Sequence, residues 1–508
     1  MRCAHRVEVV RAAERDLMAS VPAGALMQRA AAGLASVCAG LLGRVYGAQV
    51  VVLAGSGDNG GDALHAGARL AGRGVRVVAV AAADRLHAEG AAALRAHGGR
   101  VVQAADPDVP ALVRAADLVV DGLLGIGGRG GLRGAYADLA ACLGRAGAAS
   151  EPVPVVVAAD LPSGVDADTG EVAGPVVRAD VTVTFGTLKP GLLIDPGASQ
   201  AGVVELVDIG LGPHLPGPDA LAWEAADVAA ALPRPGRESD KYRRGVLGVM
   251  AGSDRFTGAA SLAVGGAIRG GAGLVRLVTA QPTAAVVRPV WPEAVITVTG
   301  DGQLAGKEVE AAGRVQAWVA GPGMGTDYAA MQRLAAVLAS DLPVLVDADG
   351  LTLIARDPGL LADRQAPTLL TPHAGELARL LGADPADVAA RRAEHARAAA
   401  ARLGACVLLK GSTTVVAPVG DGPLLVNATG TGWLATAGSG DVLSGLAGAL
   451  LAQGLSVTSA AAAAAFLHGI AGRYAAGGAG GGDGEAPIGA ADVIAALPAA
   501  IRSASQAV

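Results

Sequence analysis

The stretch VVVLAGSGDNGGDALHAGARLAGRGVRVVAV, residues 50–80, decides the fold class. An apolar run enters a Gly-rich turn, a helical segment follows, and a second apolar run closes at Val80. Strand, turn, helix and strand in that order form the repeating unit of a parallel α/β sheet, whose crossovers are usually helices. The pattern continues downstream. DLVVDGLLGIGGRGG (117–131) is a buried strand entering a second Gly loop, and VPVVVAADLPSGVDADTG (153–170) is an apolar strand ending in a polar loop. VTVTFGTLKPGLL (181–193) reads as a further strand, and residues 1–45 read as helices. The loops that follow such strands are where open α/β sheets bind ligands.

The whole chain has 508 residues, a length for two or three domains. Prolines 213, 216, 218, 233 and 235 punctuate one region. The expected division is a domain over 1–215, a linker over 216–229 and a second domain over 230–508. A second, different α/β pattern begins at GVLGVMAGSD (245–254), and the Gly-rich run 477–485 is expected as a mobile surface loop.

Composition removes several classes. With 52 % apolar and 17 % charged residues and a mean hydropathy of +0.45, the chain is not disordered. Its 75 glycines have no triplet period, which excludes collagen. A net charge of −6 and 2 % aromatics offer neither a basic face nor stacking platforms for nucleic acid. Charges run through the N-terminus, so no signal peptide is expected. The uncharged stretch 442–467 is interrupted by Gly445, Gly448, Gln453, Gly454 and Ser459. It reads as two buried Ala-rich helices rather than a membrane span. Cys3, Cys38, Cys142 and Cys406 form no CxxC pair, which argues against zinc or a disulfide framework. A soluble cytoplasmic protein, forming a homo-oligomer, is the expectation. Among 40 basic residues only Lys189, Lys241, Lys307 and Lys410 are lysines. A lysine kept against such a bias toward arginine points to a need for a compact ammonium.

In the first half, Gly55 and Gly57 with Asp58, Asn59 and Asp62 open a helix, whose free amides suit an anion. A tight βα turn is the competing reading. No acidic residue ends the next strand, where a ribose carboxylate would stand. Strand ends bring Asn59, Asp121 and Ser163 to one rim, an oxygen-only set suited to a hard cation. Asp160 at a strand end is a candidate for proton transfer, with Lys189 nearby.

These strings, GSGDNGGD, DGLLGIGGRGG, DLPSGVD and TFGTLKPG, resemble the epimerase domain of NAD(P)H-hydrate repair proteins over about residues 10–215. The resemblance implies a Rossmann-like three-layer fold that interconverts the R and S hydrates. By it, Asp58, Asn59, Gly60, Gly61 and Asp62, with Gly125, Ile126, Gly127, Gly128, Arg129, Gly130 and Gly131, hold the hydrated dinucleotide. Asp160 touches the reacting ring, and Asn59, Asp121 and Ser163 bind potassium. Asp58 departs from the family's usual Asn and adds a negative charge.

In the second half, ATAGSGDVLSG (435–445) places a Gly-rich turn before an uncharged helix. Its amides can stabilise a transferring phosphoryl group, and Asp441 can take the proton of an attacking hydroxyl. An N-cap is the competing role for Asp441. Lys410, Gly411, Ser412, Thr413 and Thr414 offer an ammonium, amides and hydroxyls to a nucleotide phosphate. Pro372 presents His373, Gly323 lies in GPGMG, and Asp347 and Asp349 stand at another strand end. Lys241, in DKYRRG, fits a solvated face equally well.

KYRRG, GSDRFTGAA, GAGLV, GPGMG, DADGL, TPHAGE, LLKGSTT and NATGTGWLATAGSGDVLSG together resemble the dehydratase domain of the same repair proteins over about residues 230–505. The resemblance implies a ribokinase-like α/β domain. It would use ADP, with Mg2+, to phosphorylate the S hydrate of NADH or NADPH and eliminate phosphate, leaving AMP. Asp441 becomes the catalytic base. Ala259, Gly323, His373 and Asp441 contact the hydrate, while Lys410–Thr414 and Gly440 contact the nucleotide. Phe256 stands where Tyr is common and Trp433 where Met is common. Three alternatives remain open: a vitamin-precursor or sugar kinase making a stable phosphorylated product, a non-catalytic N-terminal binding module, and an NAD dehydrogenase.

Overall fold

A computed structural model describes residues 1–144, 153–300, 305–477 and 484–506. The chain forms two compact units, Cys3–Ala220 and Leu221–Val508 with Met1–Arg2.

The first unit is built on a seven-stranded parallel sheet. Its strands run in the order Arg100–Gln103, Arg76–Ala81, Gln49–Ala54, Leu118–Gly122, Val155–Ala159, Val181–Phe185 and Val203–Val207. The strand order reverses between Gln49–Ala54 and Leu118–Gly122, so both Gly loops leave the sheet at the switch point where such sheets bind ligands. Val-rich runs suit these strands because a parallel sheet is covered on both faces. Residues 1–45 differ from the all-helical expectation, since Arg2–Ala4 is extended before helices Val7–Met18 and Ala25–Leu41. The apolar run at 181–193 is strand only to Phe185; Pro190–Leu192 turns as a 3₁₀ helix, because proline removes a ladder donor.

The segment 216–229 carries a short strand, Ala220–Ala222, and the start of helix Ala225–Ala231, whose capping box pairs Glu224 with Asp227. In the second unit, strands Val295–Val298, Leu274–Thr279, Val246–Met250, Ala317–Ala320, Val344–Val346, Thr368–Leu370 and Cys406–Leu409 follow one another in parallel. Thr414–Ala417 and Leu424–Asn427 then continue the sheet antiparallel. The switch point here lies between Val246–Met250 and Ala317–Ala320.

The stretch 442–467 falls on two helices, Ser439–Ala452 and Val457–Ala476, with Gly454 at φ +96° between them. From Val442 onward the first of these is buried throughout. It is pressed against helix Thr257–Arg269. A Cβ on Gly445 would sit 1.9 Å from the Ala263 carbonyl oxygen, and one on Gly266 would sit 2.3 Å from that of Val442. Glycine is required at this seam because backbone meets backbone. Among the described residues no helix is long and apolar enough to cross a membrane. Most of the Gly-rich run 477–485, residues 478–483, lies outside the described residues.

Candidate functional sites

In the first unit, helix Asp58–Ala71 starts behind Gly57 with no side-chain cap, leaving its first amides available to an anion. A Cβ on Gly55 would lie 2.0 Å from the Leu123 carbonyl oxygen, so the two Gly loops touch backbone to backbone. Gly125 approaches the Asn59 side chain, and the buried Asn59 Nδ2 has no hydrogen-bond partner. Asp121 is fully buried. It accepts from the Ser163 amide at 2.8 Å, from Ser163 Oγ at 2.7 Å and from the Leu123 amide at 3.2 Å. Burial pushes its carboxyl up to about 6 against the pull of those donors.

Asp160 stands just past strand Val155–Ala159 at φ +66°, a conformation rare for a residue with a Cβ. Strain of this kind persists only where the surroundings enforce it. Here Lys189 does so: its Nζ donates to Asp160 Oδ1 at 2.5 Å, to Thr184 Oγ1 at 2.9 Å and to the Phe185 carbonyl at 3.1 Å. The Lys189 side chain is 1 % exposed.

Two further carboxyls feel this pair. Burial pushes Asp62 well above the ordinary range, reinforced by Asp160, Asp58 and Glu14. Burial likewise raises Glu14, on helix Val7–Met18, with Lys189 opposing and Asp160 adding to the rise. One lysine among several carboxyls of different proton affinity can both give and take protons. One turn before Glu14, the Arg11 guanidinium lies 3.7 Å from where a Cβ on Gly127 would stand, and it lines a small cleft with Ile126, Gly128 and Arg129. The sequence reading did not single out Glu14 or Arg11. Both sit in an ordinary amphipathic helix pattern that carries no motif.

The second unit holds a cavity of about 670 Å³. Lys410, Gly411, Ser412 and Thr414 line it from one side, Gly438 to Asp441 from another, and His373, Asp347 and His468 complete it. Gly438, at φ +86°, turns the chain into helix Ser439–Ala452 without a side-chain cap, so amides open toward the cavity. Asp441 is in the first turn and makes no capping bond at the N-cap position. Burial, with Asp347 and other carboxylates adding to it and Lys410 pulling the other way, lifts Asp441 to about 7. That suits a group which must take a proton near neutrality.

Lys410 follows strand Cys406–Leu409. Its Nζ donates to Asp347 Oδ1 at 2.7 Å and lies 3.9 Å from Glu376 Oε2. Burial alone would lower the lysine, but Asp347, Glu376 and Asp441 outweigh it and hold the pKa above the usual value. Thr413 is buried rather than lining the cavity, its carbonyl accepting from Arg392. His373 caps helix Ala374–Leu381. Its Nδ1 accepts from the Gly375 and Glu376 amides while the ring also lines the cavity. Ala259 and Gly323 are brought together elsewhere: a Cβ on Gly323 would meet that of Ala259 at 2.9 Å, beside the switch point rather than in the cavity wall. Lys241 is exposed and stacks on Tyr242.

His468 and Ser444 were not anticipated. His468 is buried in an Ala-rich helix, its Nε2–H donating to the Ser439 carbonyl at 2.9 Å; burial lowers it to about 4, so it is neutral. A lone titratable residue in AAAAAAFLHG was the available signal.

Comparison with known proteins covers both units. The family described as NAD(P)H-hydrate dehydratase matches residues 247–486, and that described as YjeF-related protein N-terminus matches 23–191. A bifunctional NAD(P)H-hydrate repair enzyme of Mycobacterium tuberculosis is 49 % identical over 467 residues, 91 % of this chain and 92 % of its own length. The Mycobacterium leprae counterpart is 47 % identical over 508 residues, 99 % of this chain and 100 % of its own. Among solved structures, a ribokinase-like superfamily protein from Enterococcus faecalis aligns with a TM-score of 0.50 at 23 % identity, covering 57 % of this chain and 97 % of its own. An ADP/ATP-dependent NAD(P)H-hydrate dehydratase from Bacillus subtilis, crystallised with ATP and Mg2+, aligns at 32 % identity with a TM-score of 0.48, covering 56 % and 98 %.

Proposed function

Because the chain belongs to the bifunctional NAD(P)H-hydrate repair enzymes, we propose that its two residue clusters are the epimerase and the dehydratase sites of that activity. The observation that carries the reading is Asp441. A carboxyl lifted to about 7 stands at an uncapped helix N-terminus and lines the same cavity as a lysine ammonium. Such an arrangement accepts a hydroxyl proton and stabilises a phosphoryl group at once.

In the dehydratase site, Asp441 takes the proton of the C6 hydroxyl of the S hydrate as that oxygen attacks the terminal phosphorus of ADP. The amides of the Gly438–Asp441 turn and the Lys410 ammonium face the charge on the phosphoryl oxygens. AMP leaves, and loss of phosphate from C6 together with a ring proton restores the dihydropyridine. Phosphorylation is needed because hydroxide is a poor leaving group. Magnesium would arrive on the nucleotide phosphates, as Mg2+ favours substrate phosphates over all-protein cages, and would offset their charge. Ala259, Gly323 and His373 are the proposed hydrate contacts.

In the epimerase site, residues 58–62 and 125–131 hold the hydrated dinucleotide by backbone amides, and the Asp160–Lys189 pair takes the proton of the C6 hydroxyl as the C6–N1 bond opens to an aldehyde, returns a proton to N1, and reverses both transfers when the ring recloses on the other face. Potassium would be held by the side-chain oxygens of Asn59, Asp121 and Ser163, a set that includes a fully buried carboxylate. A cation there would compensate the buried charge. A cytoplasmic location belongs to the same proposal. So does self-association, for which the exposed Val290 and Val295 offer a surface.

The test is incubation with mixed R and S NADH-hydrate, ADP, Mg2+ and K+, following regenerated NADH. Full conversion of both epimers with AMP and phosphate as products is expected. A stable phosphorylated product, or no NADH with either ADP or ATP, refutes the assignment.

A further inference from the structure

The dehydratase reading leaves one buried carboxylate without a role. Asp347 is 1 % exposed and lies just past strand Val344–Val346. Its backbone is locked: the amide donates to the Ala320 carbonyl at 3.1 Å, and a Cβ on Gly321 would stand 1.9 Å from the Asp347 carbonyl oxygen. The next residue, Ala348, sits at φ +50°; among the described residues it and Asp160 are the positive-φ positions that are not glycine. Its side chain bridges two elements of the cavity. Oδ1 accepts from Lys410 Nζ at 2.7 Å, and Oδ2 accepts from Ser444 Oγ at 2.6 Å. Ser444 lies one turn after Asp441 on helix Ser439–Ala452. The result brings Lys410 Nζ to 3.3 Å from where a Cβ on Gly440 would be, with Asp347 Oδ2 at 3.9 Å from the same point.

We propose that Asp347 is a positioning residue for the phosphoryl transfer: bridging Lys410 and Ser444, it fixes the Lys410 ammonium beneath the Gly440 turn and so sets the charge that the Asp441 helix entry faces. The proposal rests on Asp441 as the base. A lysine on a flexible four-carbon stem does not hold one position unaided. Paired with a rigid carboxylate it becomes a fixed charge under the phosphate. An unopposed ammonium at that place would also weaken Asp441 as a base, because a nearby positive charge favours the carboxylate. The groups whose charges act on Asp441 are Asp347, Lys410, Asp349 and Glu376. His468 and His373 also line the cavity, His468 in its neutral form.

The experiment uses the full chain with S NADH-hydrate, ADP and Mg2+, measuring kcat and the KM for ADP from pH 5.5 to 9. Asp347→Asn is expected to move the acid limb of kcat down by about one pH unit and to raise the KM for ADP about tenfold, the scale of a lost charge-assisted contact. Ser444→Ala removes a hydrogen bond but no charge, so its acid limb stays in place. In a double-mutant cycle, Asp347→Asn adds nothing to the KM effect of Lys410→Met, since it acts through that lysine. An acid limb unmoved in Asp347→Asn, or KM effects that add, overturns the proposal. Should Asp347→Asn lose the fold of this unit, Asp347→Glu carries the test: it keeps the charge and displaces it, so the KM rises with the limb in place, and an unchanged KM overturns the proposal. An Asp441→Asn variant with the wild-type rate would remove the base itself and overturn it by that separate route.

Discussion

Lys189→Met tests the first unit most directly. The ammonium it removes is 1 % exposed and donates to Asp160, Thr184 and the Phe185 carbonyl. Methionine keeps the apolar stem, so the loss is confined to the charge and its hydrogen bonds. Breaking a buried pair by removing one partner costs about 3–5 kcal/mol, because the remaining charge is left buried and unpaired. For a unit of this size, 1 kcal/mol shifts the melting temperature by roughly 2–4 °C, so the expected drop is about 6–20 °C. Asp160→Asn alone strands the lysine and costs a similar amount. Lys189→Met with Asp160→Asn removes both charges, and asparagine tolerates the left-handed backbone that Asp160 adopts. The double variant is therefore more stable than either single one, with a coupling of about 2 kcal/mol or more. The assay is calorimetry of the full chain, with dehydratase activity on S hydrate as the control that the second unit is intact. A Lys189→Met transition within 2 °C of wild type, or a double variant as unstable as the sum of the singles, would refute the reasoning.

Five further outcomes are expected. Asp441→Asn lowers dehydratase kcat by about 10²–10⁴-fold while nucleotide protection against melting persists. In the wild type, kcat rises with pH through about 7 as Asp441 ionises, and a pH-independent rate would contradict this. Glu14→Gln lowers epimerase activity about a hundredfold without affecting conversion of pure S hydrate, as read from the two epimers by chromatography. His468 is held neutral in the fold, with a pKa near 4 against 6.5 when unfolded. The unfolded chain therefore binds the extra proton, and stability is lost as pH falls from about 6.5 to about 4. His468→Gln flattens that stretch of the urea-unfolding profile by up to about 3 kcal/mol. Finally, KCl raises the melting temperature of the first unit above that seen in NaCl of equal strength, and Asp121→Asn abolishes the difference.

The Gly loops that follow the strands were legible in the sequence because glycine and apolar runs mark them locally. The Gly55 and Gly60 turn, the break at Gly454 and the Gly438 entry to the Asp441 helix all depend on backbone geometry that only certain residues allow. Lysine scarcity drew attention to Lys189 and Lys410, which both end in ion pairs, and to Lys241, which is exposed. What stayed hidden were partners distant in sequence. Ser444 and Lys410 share a carboxylate 97 and 63 residues away, and Glu14 meets the Asp160 cluster from the first helix. No local period encodes such meetings; the order of strands does. His373 shows the opposite limit, because TPHAGE was read for a ligand contact, while the same imidazole also closes a helix end.

The glycine seam between Thr257–Arg269 and Ser439–Ala452 has a mechanical consequence. Helices in backbone contact have no side-chain layer to shear, so these two turn as a single bar. One end of that bar carries Asp441, and Ala259 rides on its other member. A tilt of either helix is thus passed directly to the other. A methyl group added at Gly445 would meet the Ala263 carbonyl oxygen and pry the two helices apart.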